Sequence, residues 1–551
     1  MLAPIAAALV ALVCPVHHFS FCNSEIPPLV DATLDELRSG LANGRFTSVD
    51  LVTAYIHRIN EVNDRLHAVN EINPDALSIA AQLDLARRSG KSDIGPLHGI
   101  PILIKDSIAT ADKLNTTAGS LALLGSTVAE DSTVVAKLRK AGAIILGKSN
   151  LSQWSGIRGS NSTDGWSAYG GQTQGAYFEG MDPAGSSSGS AVAASIGLSW
   201  ATLGIDTDGS LINPAHKNNI VGIRPTVGLT SRHLVVPVSE HLDTVGPMAR
   251  TVKDAAYLLQ AIAGADRNDK FTSASPYGYN SPDYVAACRT SGLQGKRIGV
   301  PKGMQRMWFD KSTIPAFAAL SDVLQVLRDA GAEIVEDIEL PGVRDLMKED
   351  KTFRELMHGD FVASLPKYLD QLKTNPNHIT SAPDLLEFTQ HTEHEEYPYH
   401  NTESWSNAIE HGDKVSTAWQ EAFNRQRHLS GKLGLTGALA NHSLDALIMP
   451  TFLASKIAYP NGCPVISVPL GKAPAWTPTI TNSLHTLNLT SPNQPIGLAF
   501  AGSHWSEESL ISMAYAFEQR TLRRQQVTPY LAPTIEIKDV QRGAGDQINE
   551  L

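Results

Sequence analysis

The chain has 551 residues, of which 42% are hydrophobic and 18% are charged, and its formal net charge at pH 7 is −11. This hydrophobic content is enough to bury a large core, which excludes an intrinsically disordered protein. The acidic balance argues against a nucleic-acid-binding protein, because such proteins usually present a basic domain or stripe. The four cysteines form no C-x-x-C pair and are too few for a disulfide scaffold, so neither a zinc knuckle nor a disulfide-rich fold is expected.

Residues 1–22 are predicted to form a secretory signal peptide. The apolar run at residues 2–16 is shorter than the ~20 residues that a membrane-spanning helix needs, but its length is typical of the apolar centre of a signal peptide. We therefore expect a secreted protein. The alternative is a cytoplasmic protein with a disordered or surface-docked N-terminal tail. No later segment is long and apolar enough to predict a membrane span.

Short N-x-S/T sequons are compatible with secretion and predict a glycoprotein, although such motifs also arise by chance. An asparagine in this context accepts a glycan only where it lies on the surface of a secreted protein. The sequons begin at Asn115, Asn150, Asn161, Asn441 and Asn488.

The body of the chain is predicted to begin near residue 27, with helices first. Thr33 and Glu36 have the spacing of a capping box, which predicts the start of a short helix. Apolar residues then recur at a 3.6-residue period after Ser48, which predicts a second helix. The next predicted elements are helices over residues 75–88 and 133–140 and strands over residues 101–104 and 143–146.

The rest of the chain alternates predicted helices with short apolar strands, which indicates a layered α/β fold in one large domain over residues 27–535. Residues 159–189 are predicted to be a long functional loop, because they are rich in Gly, Ser, Asn and Gln and lack a period. Residues 343–412 are more polar and are predicted to form an irregular, substrate-facing insertion, and residues 536–551 a C-terminal tail. The later strands are predicted over residues 201–205, 297–300, 333–335, 446–449, 465–468 and 497–501.

Two short motifs suggest enzymes of other classes, and in both the flanking sequence argues against the suggestion. Residues 142–149, G-A-I-I-L-G-K-S, satisfy the phosphate-loop pattern, but the four middle residues are apolar and fit a strand instead of an open loop. Residues 185–189, G-S-S-S-G, satisfy G-x-S-x-G around Ser187, but no buried strand precedes them, as a nucleophile elbow requires. Neither a nucleotide site nor an α/β-hydrolase site is favoured.

His391, His394 and His400 lie among glutamates at positions 393, 395 and 396, which raises the question of a metal site. A His-x-x-His pair without the H-E-x-x-H pattern is a weak metal signature. We therefore predict a solvated polar loop here and no metal.

A stronger combination joins Lys105 with two serines. Lys105 ends an apolar strand, and burial of its amine would lower its pKa and make a neutral amine available as a base. Ser186 lies in a serine-rich turn, and Ser210 follows a glycine 24 residues later. The helix and strand between the two serines can return the chain to the same edge of the sheet. The residues alone leave open the alternative of an ordinary sheet-edge lysine beside serine-rich loops.

At these residues the chain resembles the amidase signature family, over roughly residues 30–520. The turn P-A-G-S-S-S-G-S at residues 183–190 resembles the family's P-G-G-S-S-S-G-S, and G-I-D-T-D-G-S at residues 204–210 resembles its G-T-E-T-D-G-S. Further matching segments lie at residues 95–106, 221–226, 243–247, 444–451 and 495–498. The resemblance implies one domain with a central mixed, twisted β-sheet flanked by helices.

The resemblance also implies a Ser–Ser–Lys catalytic triad. Lys105 matches the base, Ser186 the bridging serine after an unusual cis peptide bond, and Ser210 the nucleophile. The residues that match the oxyanion loop, besides Ser210 itself, are Thr207, Asp208 and Gly209, and those that match supporting hydrogen-bond positions are Ser187 and Asp206.

Some positions depart from the family pattern. Ile212 stands where many members have Arg, which is expected to weaken the polar support around Asp206. The other departures are Ala184, Ile205 and Asn219, the last where many members have Gly. All three triad positions are retained, so an active enzyme is expected.

The resemblance implies hydrolysis of a carboxylic amide through an acyl-enzyme at Ser210, with release of an amine or ammonia and no metal or organic cofactor. The expected partner is a small-molecule amide substrate, and no nucleic acid is expected to bind. Neither the identity of the amide nor the oligomeric state follows from the sequence. The alternatives are an esterase or an amidotransferase-type subunit on the same fold, or a non-catalytic binding protein.

Overall fold

The computed structural model describes residues 26–90, 95–307, 313–411 and 416–542. In this part of the chain, helices flank one 11-stranded mixed sheet. A single large cluster of buried apolar side chains runs from Leu29 to Ile537 and includes side chains of the sheet and of the helices packed on it. Because the main core is continuous along the chain, the sheet and its helices form one domain.

The helices alternate with the strands along most of the chain. The helices are α1 (Leu34–Ala42), α2 (Ser48–Leu66), α3 (Ala76–Arg88), α4 (Thr133–Lys140), α5 (Ser188–Ser195), α6 (Ile212–Lys217), α7 (Val252–Ile262), α8 (Met304–Met307), α9 (Ile314–Asp329), α10 (Val343–Lys348), α11 (Asp350–Leu369), α12 (Ala382–His391), α13 (Glu403–His411), α14 (Thr417–Ser430), α15 (Leu435–Asn441), α16 (Thr451–Ala458) and α17 (Glu507–Thr521). The strands are β1 (Val69–Ile72), β2 (Pro101–Lys105), β3 (Thr127–Val128), β4 (Ile144–Ser149), β5 (Trp166–Ser167), β6 (Gly171–Gln172), β7 (Ala201–Asp206), β8 (Val221–Arg224), β9 (Thr244–Ala249), β10 (Arg297–Pro301), β11 (Glu333–Ile338), β12 (Leu372–Thr374), β13 (Ala446–Pro450), β14 (Val465–Lys472), β15 (Ile480–Thr481), β16 (Asn488–Thr490) and β17 (Pro495–Ala501).

The order of the strands in the main sheet places the ends of β2 and β7 side by side. The order is β1-β4-β2-β7-β9-β8-β14-β17-β13-β10-β11. Strand β2 is parallel to both β4 and β7, whereas β7, β9 and β8 are successively antiparallel. Because parallel strands end at the same edge of a sheet, Lys105 at the end of β2 and Asp206 at the end of β7 lie at one edge.

The sequence predictions for the first helix and for the later strands are confirmed. Thr33 and Glu36 form the expected capping box, with both reciprocal hydrogen bonds present. The predicted later strands all occur in the main sheet, with bounds shifted by a few residues. The apolar centre of the phosphate-loop-like segment lies in strand β4, which leaves no open loop to hold a phosphate.

The prediction of an irregular insertion at residues 343–412 was wrong. Helices α10–α13 occupy most of it, and the side chains of Phe361, Leu385 and Trp405 are buried together with Trp154 from the main body. The sequence appears polar because the helices bury one side only. The low apolar content therefore indicates surface helices here, not an irregular loop.

The prediction of a solvated loop around the His and Glu residues was wrong for two of them. Glu395 is fully buried, and its carboxylate pairs with the buried guanidinium of Arg158 at 3.1 Å. His400 is also buried and stacks on Trp166, with ring centroids 3.5 Å apart. These contacts join the segment after α12 to the long loop at residues 159–189.

The remaining predictions concern the two ends of the chain, the sequons and membrane-spanning segments. The predicted signal peptide lies outside the described residues. Ile537, in the segment predicted to be a tail, is buried in the main core. Asn150 is fully buried and donates to two backbone carbonyls, whereas Asn441 is exposed. Within the residues that the structure describes, no helix combines the length and apolarity required to cross a membrane.

Candidate active site

Lys105 and Ser186 are in direct contact at the edge of the sheet. Lys105 is fully buried at the end of β2, and its Nζ donates a hydrogen bond to Oγ of Ser186 at 2.7 Å. The two residues are 81 positions apart in the chain. They meet because Ser187, next to Ser186, is bonded to Ile205 near the end of β7, the strand that lies beside β2. The structure thus places the predicted base beside the predicted bridging serine.

The turn that carries Ser186 is held by backbone hydrogen bonds. The Gly185–Ser186 peptide bond is cis, as the resemblance implies. The carbonyl of Ser186 accepts a hydrogen bond from the Ser152 backbone N–H at 3.0 Å. A Cβ atom on Gly185 would lie 2.4 Å from Oγ of Ser152, so a larger residue at this position would have to displace that side chain. The turn leads directly into α5, with Ser187 as its N-terminal cap residue.

Ser210 is joined to the same turn. The Ser187 N–H donates to the Ser210 carbonyl at 2.9 Å, which fixes the Ser210 segment against the Ser186 segment. Ser210 is 6% exposed, whereas Ser186 is 2% exposed. Among the described residues, no side chain or backbone group hydrogen-bonds the Ser210 hydroxyl, so its oxygen is available to a substrate.

Ser187 supports the backbone of the turn and is not placed as a nucleophile. Its hydroxyl is fully buried, donates to the Ile205 carbonyl at 3.1 Å and accepts from the Ile205 N–H at 3.2 Å. No strand leads into Ser187, so the nucleophile-elbow geometry is absent from this described segment. These bonds tie the start of α5 to the end of β7.

The environment of Lys105 favours a neutral amine. Burial lowers the pKa of Lys105 to about 7, and the carboxylates of Asp206, Asp243 and Asp208 oppose this shift. An amine with such a pKa is largely unprotonated at mildly alkaline pH and can accept a proton from Ser186. The geometry and the pKa together support the role of base.

Asp206 shapes the loop before Ser210, the predicted nucleophile. Its carboxylate accepts hydrogen bonds from the N–H groups of Gly209 at 2.9 Å and Leu211 at 2.8 Å. Gly209 has φ +120, and a Cβ atom there would lie 2.5 Å from the side chain of Asn213, so only glycine fits. Because the Gly209 N–H is bonded to Asp206, Gly209 contributes to the shape of the loop, and its N–H points at a protein group.

Arg224 lies in the matching segment at residues 221–226, and no role was predicted for it. It pairs with Asp206 at 2.6 Å, and both side chains are fully buried. The expected effect of Ile212 on the polar support of Asp206 stays a prediction. The Ile212 side chain brings no charge to Asp206, and Arg224 supplies a positive charge from β8. The basic residue in the V-G-I-R-P-T segment was the signal that could have identified this partner.

Asp243 supports the loop from the other side. Its carboxylate accepts hydrogen bonds from the Thr207 hydroxyl at 2.6 Å and from the backbone N–H groups of Val238 and Ser239. Burial raises the pKa of Asp243 to about 6, although these hydrogen bonds oppose the shift. Thr207 is therefore held by a side chain 36 residues away, a contact that spacing alone does not predict.

Replacing Arg224 with methionine is expected to destabilise the protein by about 3–5 kcal/mol, because the buried Asp206 carboxylate would lose its partner. The free energy of unfolding in urea measures this effect. The double variant Asp206→Asn/Arg224→Met removes both charges and is expected to regain part of the lost stability. A single variant as stable as the parent would show that the ion pair does not support the loop.

The comparisons with known proteins identify the family of the chain. The family model described as Amidase matches residues 50–511. A putative amidase of Arthroderma benhamiae is 46% identical over 538 residues, which cover 94% of this chain and 90% of that protein. A probable amidase of Arabidopsis thaliana is 36% identical over 505 residues, which cover 90% of this chain and 91% of that protein.

Solved structures show the same fold. The crystal structure of a native peptide amidase from Stenotrophomonas maltophilia matches with a TM-score of 0.80 and 38% sequence identity, and the match covers 92% of this chain and 99% of that one. The predicted fold, one domain with a mixed sheet flanked by helices, is therefore confirmed. The family match spans the buried lysine and both serines described above, and the chain belongs to the amidase family of amide-hydrolysing enzymes.

Proposed function

We propose that this amidase hydrolyses its substrate through a Ser210–Ser186–Lys105 triad and an acyl-enzyme at Ser210. The observation that carries the proposal is the 2.7 Å contact between the buried Lys105 amine and Ser186, in a turn bonded to the Ser210 segment. A serine hydroxyl is a weak nucleophile until a base removes its proton. Lys105 supplies that base through Ser186.

In the first step, neutral Lys105 takes the proton of Ser186, and Ser186 takes the proton of Ser210 as the Ser210 oxygen attacks the amide carbon. The C–N bond then breaks, and the leaving nitrogen receives a proton from Ser186, which is restored by Lys105. Water then attacks the acyl-enzyme, its proton passes through Ser186 to Lys105, and the Ser210 oxygen regains a proton by the same relay. The products are a carboxylic acid and an amine or ammonia.

The negative charge on the tetrahedral intermediate requires hydrogen-bond donors, each worth about 3–4 kcal/mol when well placed. The candidates are the backbone N–H groups of Thr207, Asp208 and Ser210, in the loop that Asp206 and Asp243 hold. The Gly209 N–H is already bonded to Asp206, so we assign Gly209 to the shape of this loop.

Peptide amides are the substrate class that we propose first. The support is the 38% identity and full-length similarity to a protein whose structure is described as that of a peptide amidase. Ammonia release from a library of peptide and simple amides tests this assignment. The esters of the same carboxylic acids are tested beside the amides, and hydrolysis of the esters alone would indicate an esterase. Activity only with a second protein subunit would indicate an amidotransferase-type role.

Covalent labelling tests the acyl-enzyme. A fluorophosphonate, which reacts with activated serines, is expected to modify Ser210 in the parent protein, and peptide mass spectrometry locates the adduct. The Ser210→Ala variant serves as the control and is expected to remain unlabelled. An adduct at Ser187 in either protein would overturn the assignment and favour a nucleophile elbow.

We also propose that the protein is secreted, on the basis of its N-terminal apolar run. The mature N-terminus is expected between Val16 and Ser24. Asn441 is exposed and is expected to be the better glycan acceptor, whereas Asn150 is buried. N-terminal sequencing and glycosidase treatment of the protein from its native source test both statements, and an intact Met1 would contradict secretion.

A further inference from the structure

The carboxylate of Asp164 lies beside the catalytic turn, and the steps described above do not use it. Its Oδ1 atom is 2.4 Å from the position that a Cβ on Gly185 would occupy, so the carboxylate packs against the Gly185 backbone. Gly185 immediately precedes Ser186 in the chain. The Asp164 side chain is exposed, whereas Ser186 and Ser210 are 2% and 6% exposed. Asp164 is thus a carboxyl group that solvent reaches next to the buried serines, and the surrounding protein still desolvates its charged form in part.

The position of Asp164 is fixed by the same residues that fix Ser186. Oγ of Ser152 accepts a hydrogen bond from the Gly165 N–H at 2.9 Å, and the Ser152 N–H donates to the Ser186 carbonyl. The side-chain amide of Gln172 donates to the Asp164 carbonyl at 2.7 Å. The backbone of Asp164 is therefore held in place, and its carboxylate is hydrogen-bonded with the Ser152 side chain. This restraint before a ligand arrives reduces the entropy lost on binding.

The charges around Asp164 leave this region negative. The nearby cation, Lys217, is already paired with Asp182 at 2.7 Å. Asp208, in the oxyanion loop, adds a further negative charge that acts on Asp164. Among the described residues, no Lys, Arg or His forms an ion pair with the Asp164 carboxylate. A substrate cation would therefore form the ion pair that Asp164 does not have within the described residues.

We propose that Asp164 selects amide substrates that carry a cationic group, an ammonium or a guanidinium, near the scissile amide. The inference rests on the proposed function, because it concerns the substrate of Ser210. The expected substrates are peptide amides with a basic residue next to the amide that is cleaved. Electrostatic complementarity of this kind acts mainly on specificity.

The ionisation of Asp164 gives this selectivity a pH dependence. Desolvation by the surrounding protein, and after it the Asp182 carboxylate, raise the pKa of Asp164 to about 7. The Asp208 carboxylate also raises this pKa, whereas the Lys217 ammonium and a hydrogen bond with the Ser152 side chain oppose the rise. Above this pKa the carboxylate is charged and attracts a cation, and below it the neutral acid does not. The preference for a cationic substrate is therefore expected to grow between pH 6 and pH 8.

The test compares two amides of nearly the same shape, N-acetyl-arginine amide and N-acetyl-citrulline amide. The guanidinium of the first stays charged over the whole pH range, and the urea group of the second is neutral. The titration of Lys105 changes kcat/KM for both substrates by the same factor. The ratio of the two kcat/KM values is therefore independent of it. In the parent we expect a ratio of about two to five, because an ion pair that water reaches contributes only a modest free energy.

Three variants locate the effect. Asp164→Asn is expected to bring the ratio to about one, and Asp164→Glu to keep part of the preference. Glu179→Gln removes one negative charge from an exposed side chain in the same long loop and is expected to keep the parent ratio. A parent ratio near one, a ratio unchanged in Asp164→Asn, or a ratio that is flat with pH would overturn the proposal. Circular dichroism confirms that each variant folds.

Calorimetric binding of both amides to the inactive Ser210→Ala protein separates this inference from the proposed function. We expect the arginine amide to bind more tightly, and the difference to disappear when Asp164→Asn is added. If the parent hydrolyses neither amide but this binding preference is present, the proposed function fails and the recognition by Asp164 stands. Hydrolysis of both amides without any preference in rate or binding would leave the proposed function intact and overturn the recognition.

Discussion

Replacing Ser210 with alanine is expected to lower kcat/KM for amide hydrolysis by about 10⁴-fold or more, because the variant has no oxygen to form the acyl-enzyme. The Ser210 hydroxyl makes no hydrogen bond to the described residues, so its removal leaves no buried group unpaired. The fold should persist, since the Ser210 carbonyl still accepts from Ser187. Ammonia release under single-turnover conditions measures the loss.

The matched control for this experiment is Ser188→Ala in the adjacent turn. Ser188 is also buried, but its hydroxyl donates to the Ala184 carbonyl and not to the triad. We expect Ser188→Ala to lose far less activity than Ser210→Ala. A folded Ser210→Ala enzyme with a rate within tenfold of the parent would contradict the assigned nucleophile.

Lys105→Arg is expected to be about as inactive as Lys105→Ala, with each variant about 10²-fold or more below the parent. Arginine keeps the positive charge but cannot lose its proton in a protein, so it cannot act as the base. If Lys105 only stabilised the edge of the sheet, the charge-preserving variant would retain most activity. The comparison of kcat/KM for the two variants, with circular dichroism as the folding control, separates these roles.

The pH dependence of the parent gives a second measure of Lys105. Burial lowers its pKa to about 7, so the neutral amine predominates above that pH. Because only the neutral form can take a proton from Ser186, kcat/KM should rise about tenfold per pH unit below the pKa and level off above it. The rise should be absent from the residual activity of Lys105→Ala. A parent rate that falls through this range would exclude the neutral amine as base.

Much of the fold was predictable because its signals are local. The capping residues Thr33 and Glu36 are three positions apart, and the buried strands are short apolar runs bounded by polar or turn residues. The positions of Lys105, Ser186 and Ser210 were predicted from motifs, and the structure brings Lys105 and Ser186 into contact. The prediction for residues 343–412 failed because burial there depends on the neighbouring main body, which the local sequence does not contain.

The sequence by itself determined the layered fold, the candidate triad and the family, since each depends on short patterns of residue type. Only the tertiary structure decided which distant groups support the site. Arg224 pairs with Asp206, Asp243 holds Thr207, and the Asp164 carboxylate packs against the catalytic turn. The residues in each of these contacts are far apart in the chain, and their spacing follows neither the helix nor the strand period that a sequence pattern would reveal. Their positions follow from the order of the strands in the sheet and from the burial of charge, which only the folded chain establishes.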